Sequence, residues 1–286
     1  MGQARLVRVA VAVAAAARRL SAAGVPSPRA DAELLAAHVL GVPRGRLALA
    51  GGLAPDALAR FEQLVAARAD RVPLQHLTGT AGFGRLELAV GPGAFVPRPE
   101  TELLAQWAVG TGGAVVVDLA SGTGALALAV AHELPAAQVL AVERSPAALA
   151  WLRRNAADRA AAGDRPVEVV AGDATDPAVL SDLDGTVDLV VCNPPYVPAG
   201  TPVPPEVADH DPPEAVFAGP DGLAVIRPVI VRAARLLRPG GWLGLEHHET
   251  HPPLLPRLLQ PWFTRVTDHR DLVGRPRYVT GQRVAD

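Results

Sequence analysis

The run Val187-Asp188-Leu189-Val190-Val191-Cys192 ends in Asn193-Pro194-Pro195-Tyr196, and no other stretch of the chain restricts the fold so tightly. A continuous apolar run rich in β-branched residues predicts a strand buried on both faces, as in parallel sheets covered by helices. Proline lacks an N–H and has a fixed φ, so Pro194 and Pro195 cannot extend the ladder. Asn193 is therefore expected at the carboxyl end of a buried strand, where open α/β sheets bind ligands. Its amide offers one acceptor and two donors, the Pro194 carbonyl adds a rigid acceptor, and Tyr196 supplies a flat face with a polar tip. The set suits a planar –NH₂ group held by two acceptors and covered by a ring.

The preceding hundred residues supply the rest of such a sheet. Ala114 to Leu119 is an apolar strand containing Asp118, followed by Ala120-Ser121-Gly122-Thr123-Gly124 and a helix from Ala125 to Glu133. Glycines let a backbone turn sharply and approach a ligand closely. The next strand, Gln138 to Val142, ends in Glu143, where an acidic residue can bind both hydroxyls of a ribose. A third strand, Val167 to Val170, leads to Gly172-Asp173-Ala174, and Asp173 is placed to accept from an adenine amine. A glycine loop alone is a weak signal. Acidic residues at three successive strand ends beside it predict an adenosine site.

Residues 3–72 read as a small helical bundle. Leu6, Val9, Val13 and Leu20 recur at helical spacing, Gly24 ends that helix, Ser27-Pro28 opens a second and Pro55 or Asp56 a third. Leu86, Leu88 and Val90 then alternate with Glu87 and Ala89 between glycines, which predicts a β-hairpin linker. Pro97-Arg98-Pro99 is a stiff linker or a lid, with Thr101 or Pro99 near the start of the next helix. The proline-rich loop Val197 to Gly222 is long enough to be functional. A helix over Leu223 to Leu237, a strand over Trp242 to Glu246 and a terminal hairpin turning at Gly274 complete the pattern. The expected division is 1–75, helical; 76–98, linker; 99–286, catalytic.

Several functions are excluded or disfavoured. The formal net charge of -2 argues against nucleic-acid binding through overall charge. All 27 basic residues are arginine, so lysine chemistry is out. Cys192, the single cysteine, cannot form an internal disulfide, which fits a reducing cytoplasm. The alanine-rich start is interrupted by arginines and is too short to span a bilayer. His247, His248 and His251 lack the His-Glu-x-x-His spacing and Pro252 follows them, so no metal is expected.

The order of glycine loop, acidic strand end, Gly-Asp and Asn-Pro-Pro-Tyr resembles S-adenosylmethionine-dependent methyltransferases of class I. Within these the chain is most similar to the release-factor glutamine methyltransferases. That likeness extends over Ala30-Asp31-Ala32-Glu33-Leu34-Leu35, Pro73-Leu74-Gln75-His76-Leu77-Thr78-Gly79, Val96-Pro97-Arg98-Pro99-Glu100-Thr101-Glu102 and Asp271-Leu272-Val273-Gly274-Arg275. DNA methyltransferases share the tetrapeptide but not these stretches. The resemblance implies an α/β, Rossmann-like, mostly parallel seven-stranded sheet with a helical N-terminal domain. That domain either serves packing or docks the protein substrate, and docking is expected because every residue with assigned chemistry lies outside it. It implies transfer of a methyl group from S-adenosyl-L-methionine to the glutamine amide of the Gly-Gly-Gln motif of class I peptide chain release factors. Asn193, Pro194 and Tyr196 would be catalytic. Asp118, Ala120, Ser121, Gly122, Thr123, Gly124, Glu143, Asp173, Ala174 and Asn193 would hold the cofactor. Asn193, Pro194, Pro195, Tyr196 and Arg98 would meet the substrate. A cytoplasmic monomer with no membrane or direct nucleic-acid partner is expected. The alternatives are an amino-methyltransferase acting on another protein amide or a nucleic-acid adenine, and a cofactor-binding module without catalysis. Ala120 departs from the family's first loop glycine, and its methyl group is tolerable while φ stays negative. Glu143 replaces the more usual Asp, and Ala174 stands where a bulky ring often flanks the adenine.

Overall fold

A computed structural model describes residues 6–285 of the chain. They divide into two compact units, 6–80 with 204–210, and 81–203 with 211–285. The first unit is helical. A short strand β1 (Val7–Arg8) leads into α1 (Val9–Ala22), followed by α2 (Pro28–Leu40), β2 (Gly52–Leu53), α3 (Pro55–Ala69) and α4 (Leu74–Thr78). Pro28 and Pro55 sit in the first turns of their helices, where a missing N–H costs nothing. The helical periodicity read from Leu6 starts three residues later than expected. Arg8 instead pairs with Gly52 and Val7 with Leu53, antiparallel. Leu20, Leu35, Leu53 and Phe61 form the buried centre of this unit.

The second unit takes in all but the first residue of a hairpin, β3 (Thr80–Phe83) and β4 (Leu86–Ala89), then α5 (Thr101–Thr111). Next come β5 (Val115–Leu119), α6 (Ala125–Glu133), β6 (Gln138–Glu143), α7 (Pro146–Ala161), β7 (Glu168–Ala171) and β8 (Val187–Cys192). The segment α8 (Pro205–His210) belongs to the first unit. The chain closes with α9 (Ile226–Leu236), β9 (Leu237–Glu246), α10 (Leu255–Leu259), β10 (Phe263–Arg270) and β11 (Pro276–Arg283). Seven strands form one sheet in the order β10-β11-β9-β8-β5-β6-β7. Strands β9, β8, β5, β6 and β7 run parallel, and β11 joins β9 antiparallel. Val116, Val117, Leu119, Leu189, Val190 and Val191 have no exposed surface, because helices cover both faces of the central strands.

Two readings change. The strand expected over Trp242 to Glu246 begins at Leu237, with a register irregularity opposite Val187/Leu189 that absorbs Arg238-Pro239-Gly240-Gly241. The proline-rich loop is not featureless, since it contains α8 and a single turn at Pro213–Ala215.

Candidate active site

The chain runs outward from β5 through β6 to β7, then returns to place β8 on the other side of β5. This reversal opens a crevice at the carboxyl ends of β5 and β8, where ligands bind in open α/β sheets. Leu119 and Cys192 are register partners, so Ala120 and Asn193 leave adjacent strands at the same level.

The β5 side is built from backbone. Gly124 takes φ +89°, and a Cβ there would meet Leu152 Cδ1 at 2.5 Å, so only glycine fits between loop and helix. Glu143, at the end of β6, accepts from Gly122 N at 2.9 Å and from Ser145 N at 2.7 Å. Asn155 on α7 accepts from Ala89 N at 2.8 Å and donates to Thr123 O at 3.0 Å, tying β4 to the loop. Ala120 adopts φ +61°. The condition under which its methyl group was tolerable does not hold, and the loop carries a left-handed alanine. That conformation costs an L-residue about 1–2 kcal/mol.

Asp118 lies under this loop with no exposed surface. Its Oδ2 accepts from Ala127 N at 3.1 Å, whereas Oδ1 is buried without a hydrogen-bond partner. Burial drives the carboxyl up to about 7. An orphaned buried acceptor beside a glycine loop fits a ligand carrying a donor, such as the ammonium of an amino-acid moiety. At the end of β7, Asp173 Oδ1 accepts from Thr175 N and Oγ1, and Oδ2 faces Arg144 at 3.2 Å. Ala174 is buried in the core.

The β8 side is built from side chains. Asn193 Nδ2 donates to Thr101 Oγ1 at 3.1 Å. Thr101 Oγ1 donates to Glu246 Oε2 at 2.8 Å, and Tyr196 OH donates to Glu246 Oε1 at 2.8 Å. Glu246, at the end of β9, is 1% exposed. Burial raises its carboxyl to about 7 against the bonds from Thr101 and Tyr196. Burial and the charge of Glu246 push the Tyr196 phenol well above its usual value, so it stays a neutral donor. Val197 N and Ala199 N donate to Val216 O and Gly219 O, which secures the chain beyond the tetrapeptide. Gly222 packs there so closely that a Cβ would lie 2.3 Å from Tyr196 O.

Thr101 and Glu246 received no role from the sequence. Thr101 read only as a helix start and Glu246 only as the end of an apolar strand. An acidic residue ending a strand this apolar was the available signal. Arg98 lies apart from these bonds. It donates to Asp211 Oδ2 at 2.5 Å, and its guanidinium sits 4.6 Å from the Phe95 ring centre. His247 Nε2 is 2.9 Å from Asp268 Oδ1, and His251 Nε2 is 2.9 Å from Asp221 O. Among the described residues no group of three or more His, Cys, Asp and Glu side chains is placed to hold a metal ion. Cys192 is fully buried and its thiol is pushed well up by burial, so it is inert.

A sheet of this order, with a glycine loop after β5, the middle of its five parallel strands, is that of a class I S-adenosylmethionine-dependent methyltransferase, and residues 99–208 match the methyltransferase small domain. Residues 12–79 match the PrmC N-terminal domain. Release factor glutamine methyltransferase of Mycolicibacterium smegmatis is 56% identical over 98% of this chain and 99% of its own length. The enzyme of that name from Streptomyces coelicolor is 48% identical over 95% of this chain and 96% of its own, and that from Mycobacterium leprae 46% over 97% and 98%. The chain belongs to the release factor glutamine methyltransferase family. It is a methyltransferase, and among the described residues no helix is long and apolar enough to cross a membrane.

Proposed function

We propose that this enzyme methylates the side-chain amide nitrogen of the glutamine in the Gly-Gly-Gln motif of class I release factors, converting S-adenosyl-L-methionine to S-adenosyl-L-homocysteine. The observation that carries the reading is the meeting of the Asp118–Gly124 loop with Asn193-Pro194-Pro195-Tyr196 at the switch point of the sheet. Asp118, residues 120–124 and Glu143 would hold the cofactor, with Asp173 toward its adenine and Ala174 behind it. When bound, S-adenosylmethionine supplies an electrophilic methyl group on a sulfonium centre. An amide nitrogen is a poor nucleophile because its lone pair is delocalised into the carbonyl. Asn193 Oδ1 and the Pro194 carbonyl would accept its two N–H bonds and orient that lone pair, while Pro195 and Tyr196 pack on the amide plane. Fixed acceptors also stabilise positive charge as it develops on the nitrogen. A reacting distance of roughly 3–3.5 Å is the near-attack range.

The helical unit is proposed to dock the protein substrate, with Arg98 at the substrate side of the catalytic unit. The chemistry assigned above lies outside the first unit, which supports that division of labour. The test is methyl transfer from labelled cofactor to purified release factor beside its Gln→Ala form. Label is expected on the wild-type factor alone. Equal labelling of both, or label on nucleic acid instead, would overturn the assignment.

A further inference from the structure

We propose that Thr101 and Glu246 are positioning residues that decide which end of the Asn193 amide faces the substrate. The inference rests on the reading that Asn193 accepts from a substrate amide. The oxygen and nitrogen of an asparagine amide have nearly the same shape, so only hydrogen bonds distinguish its two orientations. Here they do so through a directed chain. An ionised carboxylate can only accept, so Glu246 Oε2 takes the single hydroxyl hydrogen of Thr101 at 2.8 Å. Thr101 Oγ1 can then only accept from Asn193, which must turn Nδ2 toward it at 3.1 Å. Oδ1 is left to face the crevice. The other carboxylate oxygen takes the Tyr196 hydrogen at 2.8 Å, so one buried charge sets both ends of the tetrapeptide.

A proton on Glu246 reverses the direction. Its O–H can donate to Thr101 Oγ1, whose own hydrogen then points at Asn193. The amide must turn Oδ1 toward Thr101 and present Nδ2, a donor, to a substrate –NH₂ that is also a donor. Burial places the Glu246 carboxyl near 7, so both directions are accessible around neutrality. Arg277 on β11 favours the ionised form and Glu100 opposes it. Tyr196 and Cys192 face it from the β8 side, and Tyr278 is its register partner on β11.

The test uses the full chain with cofactor and release factor, measuring kcat, KM and cofactor affinity between pH 6 and 8. Wild type should show kcat rising with pH through about 7. Thr101→Val keeps the shape and removes the hydroxyl. It should lower kcat by about a hundredfold, as loss of one preorganised polar group does, with KM and cofactor affinity little changed. Thr101→Ser should restore most of the turnover. Glu246→Gln should lower kcat and flatten the acid limb. A Thr101→Val enzyme with wild-type kcat, or a Glu246→Gln enzyme that keeps the acid limb, would overturn the proposal. A readout independent of turnover is the nuclear magnetic resonance of the Asn193 side-chain amide. It should titrate near pH 7 in wild type and lose that titration in Thr101→Val. If wild type fails to methylate the factor while this titration holds, the substrate reading falls and the relay stands. If the factor is methylated and the amide does not titrate, the relay falls alone.

Discussion

The two strand ends that meet at the crevice are each fastened by one buried carboxylate, but to different kinds of donor. Glu143 accepts from two backbone N–H groups, Gly122 in the β5 loop and Ser145 at the start of α7. Glu246 holds the β8 side by two hydroxyls, Thr101 and Tyr196. A backbone amide is always a donor, so the first arrangement has one direction. A hydroxyl donates or accepts, so the second depends on where a proton sits. The loop proposed for the cofactor is thus fixed in shape, whereas the side proposed for the reacting amide is fixed in shape and also in polarity.

The largest effect should come from the β8 side. Asn193→Ala removes a preorganised acceptor, and turnover should fall about 10²–10³-fold. Cofactor affinity should stay within about a factor of ten, or 1.4 kcal/mol, because the proposed cofactor contacts lie mostly on the β5 loop. Asn193→Asp keeps an acceptor but adds charge near the sulfonium, and should lose turnover while binding cofactor at least as well. Near-normal turnover in Asn193→Ala would reduce Asn193-Pro194-Pro195-Tyr196 to a strand end and a bend.

On the β5 side the expected loss is in binding. Glu143→Ala removes charge-assisted bonds of about 1.5–3 kcal/mol each, so cofactor affinity measured by calorimetry should fall at least roughly tenfold. Turnover at saturating cofactor should fall far less. Equal losses in both quantities would erase the contrast between the two sides.

A smaller effect concerns pH and stability. Asp118 has its carboxyl raised to about 7 by burial, from roughly 3.9 in an unfolded chain. A raised acid favours the folded state most below the unfolded value, and that advantage disappears as pH rises through 7. Asp118→Asn should therefore be the more stable protein at pH 8 without cofactor, by on the order of 2 kcal/mol in urea unfolding. Some fall between pH 4 and 7 should remain, since Glu246 titrates over the same range. A variant that unfolds at the same urea concentration as wild type at pH 8 would show that the Asp118 charge is compensated.

The smallest effect is expected at Ala120. Its φ of +61° is strained for alanine, and glycine would relieve about 1–2 kcal/mol while adding about 0.5–1 kcal/mol of chain entropy cost. Ala120→Gly should thus raise stability by up to about 1 kcal/mol. A loss of stability would mean that the alanine methyl group packs favourably enough to outweigh the strain.

The parts of this molecule that were legible in the sequence are those written in contiguous residues. The strand β5, its glycine loop and α6 appear as one uninterrupted run, and the tetrapeptide ends β8 where its prolines require. The bonds that complete the site were not legible. Thr101 precedes Asn193 by 92 residues, and Glu246 follows Tyr196 by 50, so their meeting depends on the sheet order. Nor could the sequence reveal that Glu143 is already bonded to the loop, or that Ala120 is left-handed. Both are consequences of packing at strand ends. The extra length of β9 was hidden by Pro239-Gly240-Gly241, which read as a stop and instead sits at an irregular register.

The helix α8 has a consequence for synthesis on the ribosome. Its Glu206 accepts from Arg68 at 2.8 Å and from Arg71 at 2.9 and 2.6 Å, within the first unit. Burial alone would raise the Glu206 carboxyl, but the arginine bonds hold it at about 2. Arg68 is also bonded to Asp31 at 2.8 Å, so two guanidinium groups share two carboxylates. Glu206 follows Arg68 by 138 residues. At about 5–20 residues per second, the second carboxylate is made some 7–30 s after the helices that need it. During that interval Arg68 on α3 and Arg71 just beyond it are two closely spaced cations with one carboxylate, Asp31, bonded to Arg68. The unit translated first is therefore the one whose charges are balanced late, after β8 has emerged.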